Sequence, residues 1–447
     1  MTREFERRTI RKAFVRLLPL LLAAYLTSYL NRVNIGYAPT LRTDLGFSAE
    51  VFGLGAGFFF IGYFIFEIPS NLLLARFGAR RWIARIMLSW GLLSMAMALV
   101  TGTASFLVMR FLVGVAEAGF FPGVVLYITY WFPAAYRSRT TALFMVAIPA
   151  SLAVSGPLSN LIGAATMGLG GLRPWQWLFI VEGIPTVLLA FAVLAWLPDR
   201  PRDASWLTQE EKIWLQSSID AEDRRIREVH GLGLFKALTD TRVLALAFIY
   251  FANITTNLGI AFFLPQIIKG LGASNVAANY ISSIPFVFGV IGVLLFGGLA
   301  DRFRAQRKAL LVFAMAISAV GLAGAGMAGA TYAAVVLIAL ASIGIYGAKG
   351  PFWPLPSMFL TGSAAAGGIA LINSIGNLGG FVGPYVIGYV KTATGSYVIA
   401  LYVLAGFAVS AAVVSFFLRS PSTIEIEGTA AAAKTTIYTE QRAAQAE

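Results

Sequence analysis

Twelve runs of mainly apolar residues divide this chain, each about 20 residues or longer, enough to cross the hydrocarbon core of a bilayer as a helix. They cover about 15–38, 51–74, 82–101, 106–131, 140–165, 178–197, 243–264, 279–299, 309–328, 332–358, 367–389 and 396–418, and are called spans 1 to 12 below. Lipid offers the backbone no hydrogen-bond partner, so each run must satisfy its own amides internally, as a helix does. The expected fold class is therefore an all-α membrane protein of twelve transmembrane helices. Only 12% of residues are charged, about half the share in a soluble globule. There is no cysteine and a single histidine, His230. This excludes disulfides, thiolate metal sites and thiol nucleophiles. With no nucleophile–base pair or phosphate loop either, an enzyme is not expected, and neither a metal nor another cofactor.

Short loops join most spans, but residues 198–242 are polar and charge-dense. The chain thus divides into a first six-span unit (1–197), a central loop (198–242), a second six-span unit (243–419) and an Ala/Thr/Glu-rich tail (420–447), expected to be disordered. No cleavage pattern follows the charged N-terminus, so no removable signal peptide is expected. Of 34 Lys and Arg, 27 fall on one side of the spans, and only Arg42, Arg173, Lys269 and Lys391 on the other. This positive-inside bias places both termini in the cytoplasm, in a multi-pass inner-membrane protein. It also accounts for the net charge of +13 without a nucleic-acid partner.

The two units match at a constant offset of 226. Pro39 pairs with Pro265, Leu45-Gly46-x-Ser48 with Leu271-Gly272-x-Ser274, and Arg76-Phe77 and Arg81 with Arg302-Phe303 and Arg307. A duplicated six-span unit implies two six-helix bundles related by a pseudo-two-fold along the membrane normal. Transporters built this way hold substrate near the midplane, between the repeats.

Ionisable residues inside a bilayer are costly and mark function. Here they are Arg32, Glu67, Arg110, Glu117, Glu182 and Lys349. Tyr29 lies three residues before Arg32 and shares its face. A guanidinium can grip a carboxylate through two parallel bonds and a phenol can add a third; the bland alternative is a cation satisfied by Asn31, Asn34 or backbone. Arg110 and Glu117 lie seven apart, on one face but two turns from each other, so no tight pair is expected between them. Glu117 either carries a proton between the two sides or forms a static charge pair. Lys349 precedes Pro351-Phe352-Trp353-Pro354, where two prolines interrupt the helix as they can beside a cavity. Trp353 offers a flat face to a ligand, or is packing. Glu67 and Glu182 read as structural. With Glu67 and Glu182 set aside as structural, the expected cavity collects Arg32, Arg110 and Lys349 against Glu117, and that local excess of cations favours an anionic substrate.

The loop Gly297-Gly298-Leu299-Ala300-Asp301-Arg302 resembles the Gly-x-Leu-Ala-Asp-Arg signature of the major facilitator superfamily. The first-unit copy, Leu73-Leu74-Ala75-Arg76-Phe77-Gly78, has Ala75 where the acid usually stands. The resemblance implies a conformational latch at Asp301, Arg302 and Arg76, and the departure at Ala75 puts its first half in doubt. Longer runs resemble the anion:cation symporter family, with the phthalate, tartrate and hydroxyphenylacetate permeases most similar. They are Asn31-Arg32-Val33-Asn34-Ile35-Gly36, Glu67-Ile68-Pro69-Ser70-Asn71, Arg110-x6-Glu117-Ala118-Gly119-x2-Pro122, Trp175 to Pro185, Pro351-Phe352-Trp353 and Asn373 to Gly380. The resemblance implies Arg32 as the substrate-carboxylate anchor, Glu117 as the proton-coupling acid with Arg110 nearby, and Tyr29, Asn31, Tyr63, Lys349, Trp353 and Asn373 as substrate-binding candidates. Many relatives carry an aspartate where this chain has Asn31. An amide cannot titrate, so coupling through Glu117 alone is expected.

The expected function is a monomeric secondary transporter that imports a small organic anion (an aromatic or hydroxy carboxylate, or a sugar acid) by proton symport with alternating access. A non-transporting anion sensor of the same fold and an exporter of acidic metabolites are the alternatives.

Overall fold

The computed structural model describes residues 3–38, 40–228, 239–356 and 362–418. Pro39, His230 and the tail 420–447 lie outside the described residues. All regular structure within them is helical. The twelve spans are Glu4–Tyr37, Ala49–Leu74, Ala79–Leu99, Thr103–Trp131, Leu143–Ala165, Pro174–Trp196, Thr241–Lys269, Asn275–Arg302, Arg304–Ala328, Tyr332–Phe352, Gly368–Thr394 and Val398–Phe417. The chain is a multi-pass membrane protein.

The pairing of spans carries the duplication into three dimensions. In the first unit, span 1 packs on spans 5 and 6, span 2 on span 4, and span 3 on spans 4 and 6. Adding six to each number gives the pairings of the second unit: span 7 on 11 and 12, 8 on 10, and 9 on 10 and 12. Between the units, span 2 packs on span 11, span 5 on span 8, and span 1 on span 7. This set maps onto itself under the same exchange, as a two-fold requires.

Below, the N-terminal side is the end of the spans that carries the N-terminus, and the far side is the other end. The unit interface is sealed at the far side. A Cβ on Gly156 would stand 2.0 Å from the Asn279 carbonyl oxygen, and one on Gly53 2.3 Å from that of Pro384. The backbones touch there because glycine adds nothing to the surface. Polar clasps flank them: Arg42 Nη1 donates to Gln266 Oε1 (2.7 Å), Asn160 Nδ2 to the Val276 carbonyl (2.9 Å), and the Glu50 amide to Thr392 Oγ1 (3.1 Å). Gly156→Leu is expected to hold this seam apart, since the clash is with backbone that cannot yield. On the cysteine-free background, a cysteine at Leu258 should then react with a membrane-impermeant maleimide from the far side. Unchanged protection would show that the seam is not the far-side seal.

The central stretch is more ordered than its composition implies. It carries a helix, Gln209–Glu228, docked under the first unit. Trp206 stacks on Trp131 and Trp214 meets Phe5 edge-on. Glu211 is fully buried, accepts from Lys12 Nζ at 2.8 and 3.0 Å, and takes the Thr208 amide at 3.0 Å in a capping box. Burial pushes its carboxyl up, but Lys12, the Thr208 amide and Arg8 outweigh this and hold it below the usual range. A depressed folded pKa means the docking energy is complete above about pH 4–5 and is lost only in stronger acid. Glu211→Ala should raise hydrogen exchange in 209–221 by about tenfold, the equivalent of about 1.4 kcal/mol. Exchange that does not change would remove Glu211 from the docking.

Candidate functional site

The fourth span is interrupted directly after Glu117. Its first helix ends at Glu117, Ala118 turns extended (ψ 133°), and Gly119 takes a left-handed φ of 84° before a second helix starts at Phe120. Only glycine adopts that φ freely, and a Cβ there would stand 2.4 Å from Ser70 Oγ. Broken membrane helices are tolerated where they line a cavity or a buried polar site. Here the break presents Glu117, fully buried, to span 1.

Glu117 Oε1 accepts from Ser28 Oγ at 2.6 Å and from Arg32 Nη2 in a short ion pair. Its other oxygen has no partner among the described residues. The Arg32 guanidinium lies in an aromatic cage, 4.7 Å from the Tyr29 ring centroid, 5.0 Å from Phe59 and 5.4 Å from Tyr63. Ring faces attract a cation in a dry site, so the cage holds the guanidinium with or without its carboxylate.

Arg110, by contrast, does not reach Glu117. Its Nε donates to the Gly55 carbonyl (3.2 Å) and its Nη2 to the Arg32 carbonyl (3.3 Å). It ties spans 1 and 2 to span 4, as the two-turn separation from Glu117 requires.

A narrow cavity lies where the two units meet. From the first unit it is lined by Tyr29, Arg32 and Tyr63, and from the second by Lys349, Asn373 and Asn377. Five of the seven expected substrate-binding residues thus meet at one surface; Asn31 and Trp353 do not.

Asn31 is turned away. Its amide oxygen accepts from Trp90 Nε1 (3.1 Å) and Thr186 Oγ1 (2.8 Å), and its nitrogen donates to the Glu182 carbonyl (3.1 Å), the orientation that satisfies both ends. Adjacent helical residues point about 100° apart, so Arg32 and Asn31 cannot both face the cavity. Its repeat partner Asn257 is likewise turned inward on its own unit, accepting from Tyr346 Oη at 2.6 Å. Trp353 packs against Tyr250 and Phe352, 5.1 and 5.4 Å between centroids, one layer behind the lining. The helix of span 10 ends at Phe352, earlier than its hydrophobic run, because the prolines stop it.

Asn373 Nδ2 donates to Glu67 Oε1 at 2.6 Å, joining span 11 to span 2 across the unit interface. Glu67, expected to brace its own helix, is therefore a cross-unit contact at the N-terminal end of the cavity. Asp301, Arg302 and Arg76 are exposed at the same end, and none forms an ion pair among the described residues. Ser28 was not singled out in the sequence, although it lies four residues before Arg32 and so on its face.

The sequence profile of the Major Facilitator Superfamily matches residues 20–384, with a second overlapping match over 246–443. The chain belongs to the major facilitator superfamily. It is accordingly a membrane transporter and not an enzyme. A protein of Agrobacterium vitis whose name proposes a tartrate transporter is 46% identical over 95% of each chain. The "Quinolone resistance transporter" of Acinetobacter baumannii is 41% identical over 90% of this chain and 92% of its own. The "Inner membrane transport protein RhmT" of Escherichia coli is 35% identical over 93% and 96%. Among solved structures, the xylose transporter XylE of E. coli in a partially occluded inward-open conformation superposes with a TM-score of 0.71 (16% identity, 91% of this chain and 100% of that one). A bacterial homologue of the lysosomal transporter Spinster, inward-facing and occupied, gives 0.69 (18% identity, 90% and 96%). At such identities these two show the shared facilitator fold and nothing finer.

Proposed function

We propose that this facilitator imports a small organic anion, a hydroxy or aromatic carboxylate or a sugar acid, together with protons. The observation that carries the reading is the buried pair of Glu117 with Arg32, which lines the cavity between the two units. A proton on Glu117 removes the charge that holds Arg32, and the caged guanidinium then accepts a substrate carboxylate in its place. When Glu117 gives its proton up on the other side, it reclaims Arg32 and displaces the substrate. Proton and anion thus compete for one cation, which makes each a condition for the other's movement. The reading needs no cofactor beyond the coupling proton, and a single chain contains the whole site.

In this reading the two six-span units (1–197 and 243–419) rock about the cavity, and the sealed far side with Arg32 paired to Glu117 is the arrangement in which the carboxylate of Glu117 has reclaimed the anchor. Asp301, Arg302 and Arg76 latch the N-terminal side in the opposite state. The basic N-terminal side faces the cytoplasm of an inner membrane, supported by the positive-inside bias and by the name of the E. coli relative. The names of the A. vitis relatives support the substrate class, and that of the A. baumannii relative supports export as the second reading.

The deciding experiment is flux in proteoliposomes preloaded at fixed pH. Uptake of organic anions should rise with external acid and stop with a protonophore. Uptake indifferent to the gradient overturns the coupling. Anion loss from loaded vesicles in exchange for inward proton movement, without uptake, selects export.

A further inference from the structure

The start of span 3 turns two arginines toward the bilayer. Its helix begins at Ala79, and Ile83, Ala84, Met87 and Trp90 are buried against the rest of the unit. Arg81, Arg85 and Leu92 lie on the exposed face, with one helical turn between the arginines and two between Arg85 and Leu92. Arg85 stands six residues into the helix, about 9 Å along its axis, where a lone charge is costly. No carboxylate and no hydrogen-bond acceptor meets either guanidinium among the described residues. Their neighbour Arg80 is satisfied within the chain: its Nε donates to the Leu194 carbonyl of span 6, and its backbone amide to Asp199 Oδ1 at 2.8 Å.

Arg85 rests on a fixed platform. A helical side chain leans back toward the N-terminus of its helix, and Arg85 accordingly lies over Trp82, its guanidinium carbon 4.0 Å from the ring centroid. The indole is held in place, since its Nε1 donates to Ser70 Oγ of span 2 (3.1 Å) and Phe77 stacks on it at 5.6 Å with 14° between the planes. Stacking engages the face of the guanidinium and leaves the N–H donors on its edge for another partner. A phosphate oxygen pair accepts such donors two at a time. Leu92, 51% exposed, continues the same face deeper into the span as apolar surface for an acyl chain.

We infer that this face holds one anionic phospholipid from the leaflet on the N-terminal side, with its phosphate between Arg81 and Arg85 and an acyl chain along Leu92. Two guanidiniums against one phosphodiester leave positive charge over. A headgroup without an amine therefore fits, whereas a choline or ethanolamine would set a third cation beside the two arginines. The site lies outside the central cavity, and the assignment holds whatever substrate the cavity takes.

The purified full chain in neutral detergent is equilibrated with phosphatidylglycerol and phosphatidylcholine of identical acyl chains, and bound lipid is counted by native mass spectrometry. The wild type should retain phosphatidylglycerol about 10-fold over phosphatidylcholine. Arg81→Gln with Arg85→Gln should bring that ratio toward one. Arg304→Gln with Lys308→Gln removes the same charge from the start of span 9 in the second unit and should keep the ratio. No preference in the wild type, or an equal loss in the two double variants, overturns the assignment, the second because surface charge alone would then explain the binding. Excess glycerol phosphate should leave the lipid in place; displacement by it overturns the lipid in favour of a free-phosphate site. Should the Arg81 and Arg85 double variant not fold, Arg85→Gln alone decides, with an expected loss of about threefold in the ratio, and an unchanged ratio there overturns the assignment as well.

Discussion

Replacing Arg32 with alanine should lower carboxylate affinity by at least about 100-fold, which corresponds to about 3 kcal/mol for a charge-assisted contact in a desolvated site. The same substitution should destabilise the empty protein. Glu117 is fully buried, and among the described residues its only other bond comes from Ser28 and one of its oxygens already lacks a partner. Breaking a buried pair by removing one member costs about 3–5 kcal/mol, because the remaining charge is left uncompensated. The two effects separate in the double variant. Arg32→Ala with Glu117→Gln removes both charges, so thermal stability in detergent should return most of the way to wild type. Binding should stay lost, because an amide cannot hold the substrate. Recovery of binding along with stability would mean that Arg32 acts on the fold and not on the ligand. A conservative Arg32→Lys should keep part of the stability but lose the fork that grips a carboxylate with two bonds.

The fold was legible because membrane insertion leaves few choices. Twelve apolar runs, one central polar stretch and a 226-residue offset fix the span count, the symmetry and hence the place of the cavity. The offset requires that a pairing in one unit recur in the other, as span 1 with 5 recurs in span 7 with 11, but it does not say which spans pair. Residue types were legible too, since an arginine in span 1 or a lysine in span 10 is too costly to be incidental. What one dimension hides is which face each residue takes and whom it meets. Arg32 and Glu117 are 85 residues apart and on different spans, so their pairing could not be seen, whereas Arg110 and Glu117 could be measured along one helix and correctly kept apart. Asn31 was drawn to the cavity by its neighbour, although adjacency on a helix means divergence. Glu67 was assigned to its own helix because its partner, Asn373, comes from the other unit, 306 residues on. The docked helix Gln209–Glu228 was missed for a different reason. Its charge density reads as solvated loop, and the one buried acid that anchors it, Glu211, is paid for by Lys12 from the start of the chain.

Glu117→Gln is the sharper test of coupling, because it changes one proton site and little shape. The amide can still accept from Ser28, but it carries no charge with which to hold Arg32. Arg32 is then free at every pH, so substrate binding should persist and lose its pH dependence. Exchange of labelled for unlabelled anion across the membrane should continue, since both directions use the loaded carrier. Accumulation should vanish. Each coupled proton supplies about 1.4 kcal/mol per pH unit, so a gradient of two units can lift the internal anion about 100-fold per proton. The membrane potential has to be clamped at zero for this comparison, because any net charge that crosses with the substrate is driven or opposed by about 2.3 kcal/mol per charge at 100 mV. Under the clamp the wild type should approach the 100-fold ratio, and the variant should stop at a ratio of one while still exchanging. A variant that kept both exchange and gradient-driven accumulation would move the proton site away from Glu117. Glu67 would then be the next candidate, since it is a second buried acid in contact with a cavity residue, and its bond to Asn373 spans the two units that must part for the substrate to leave.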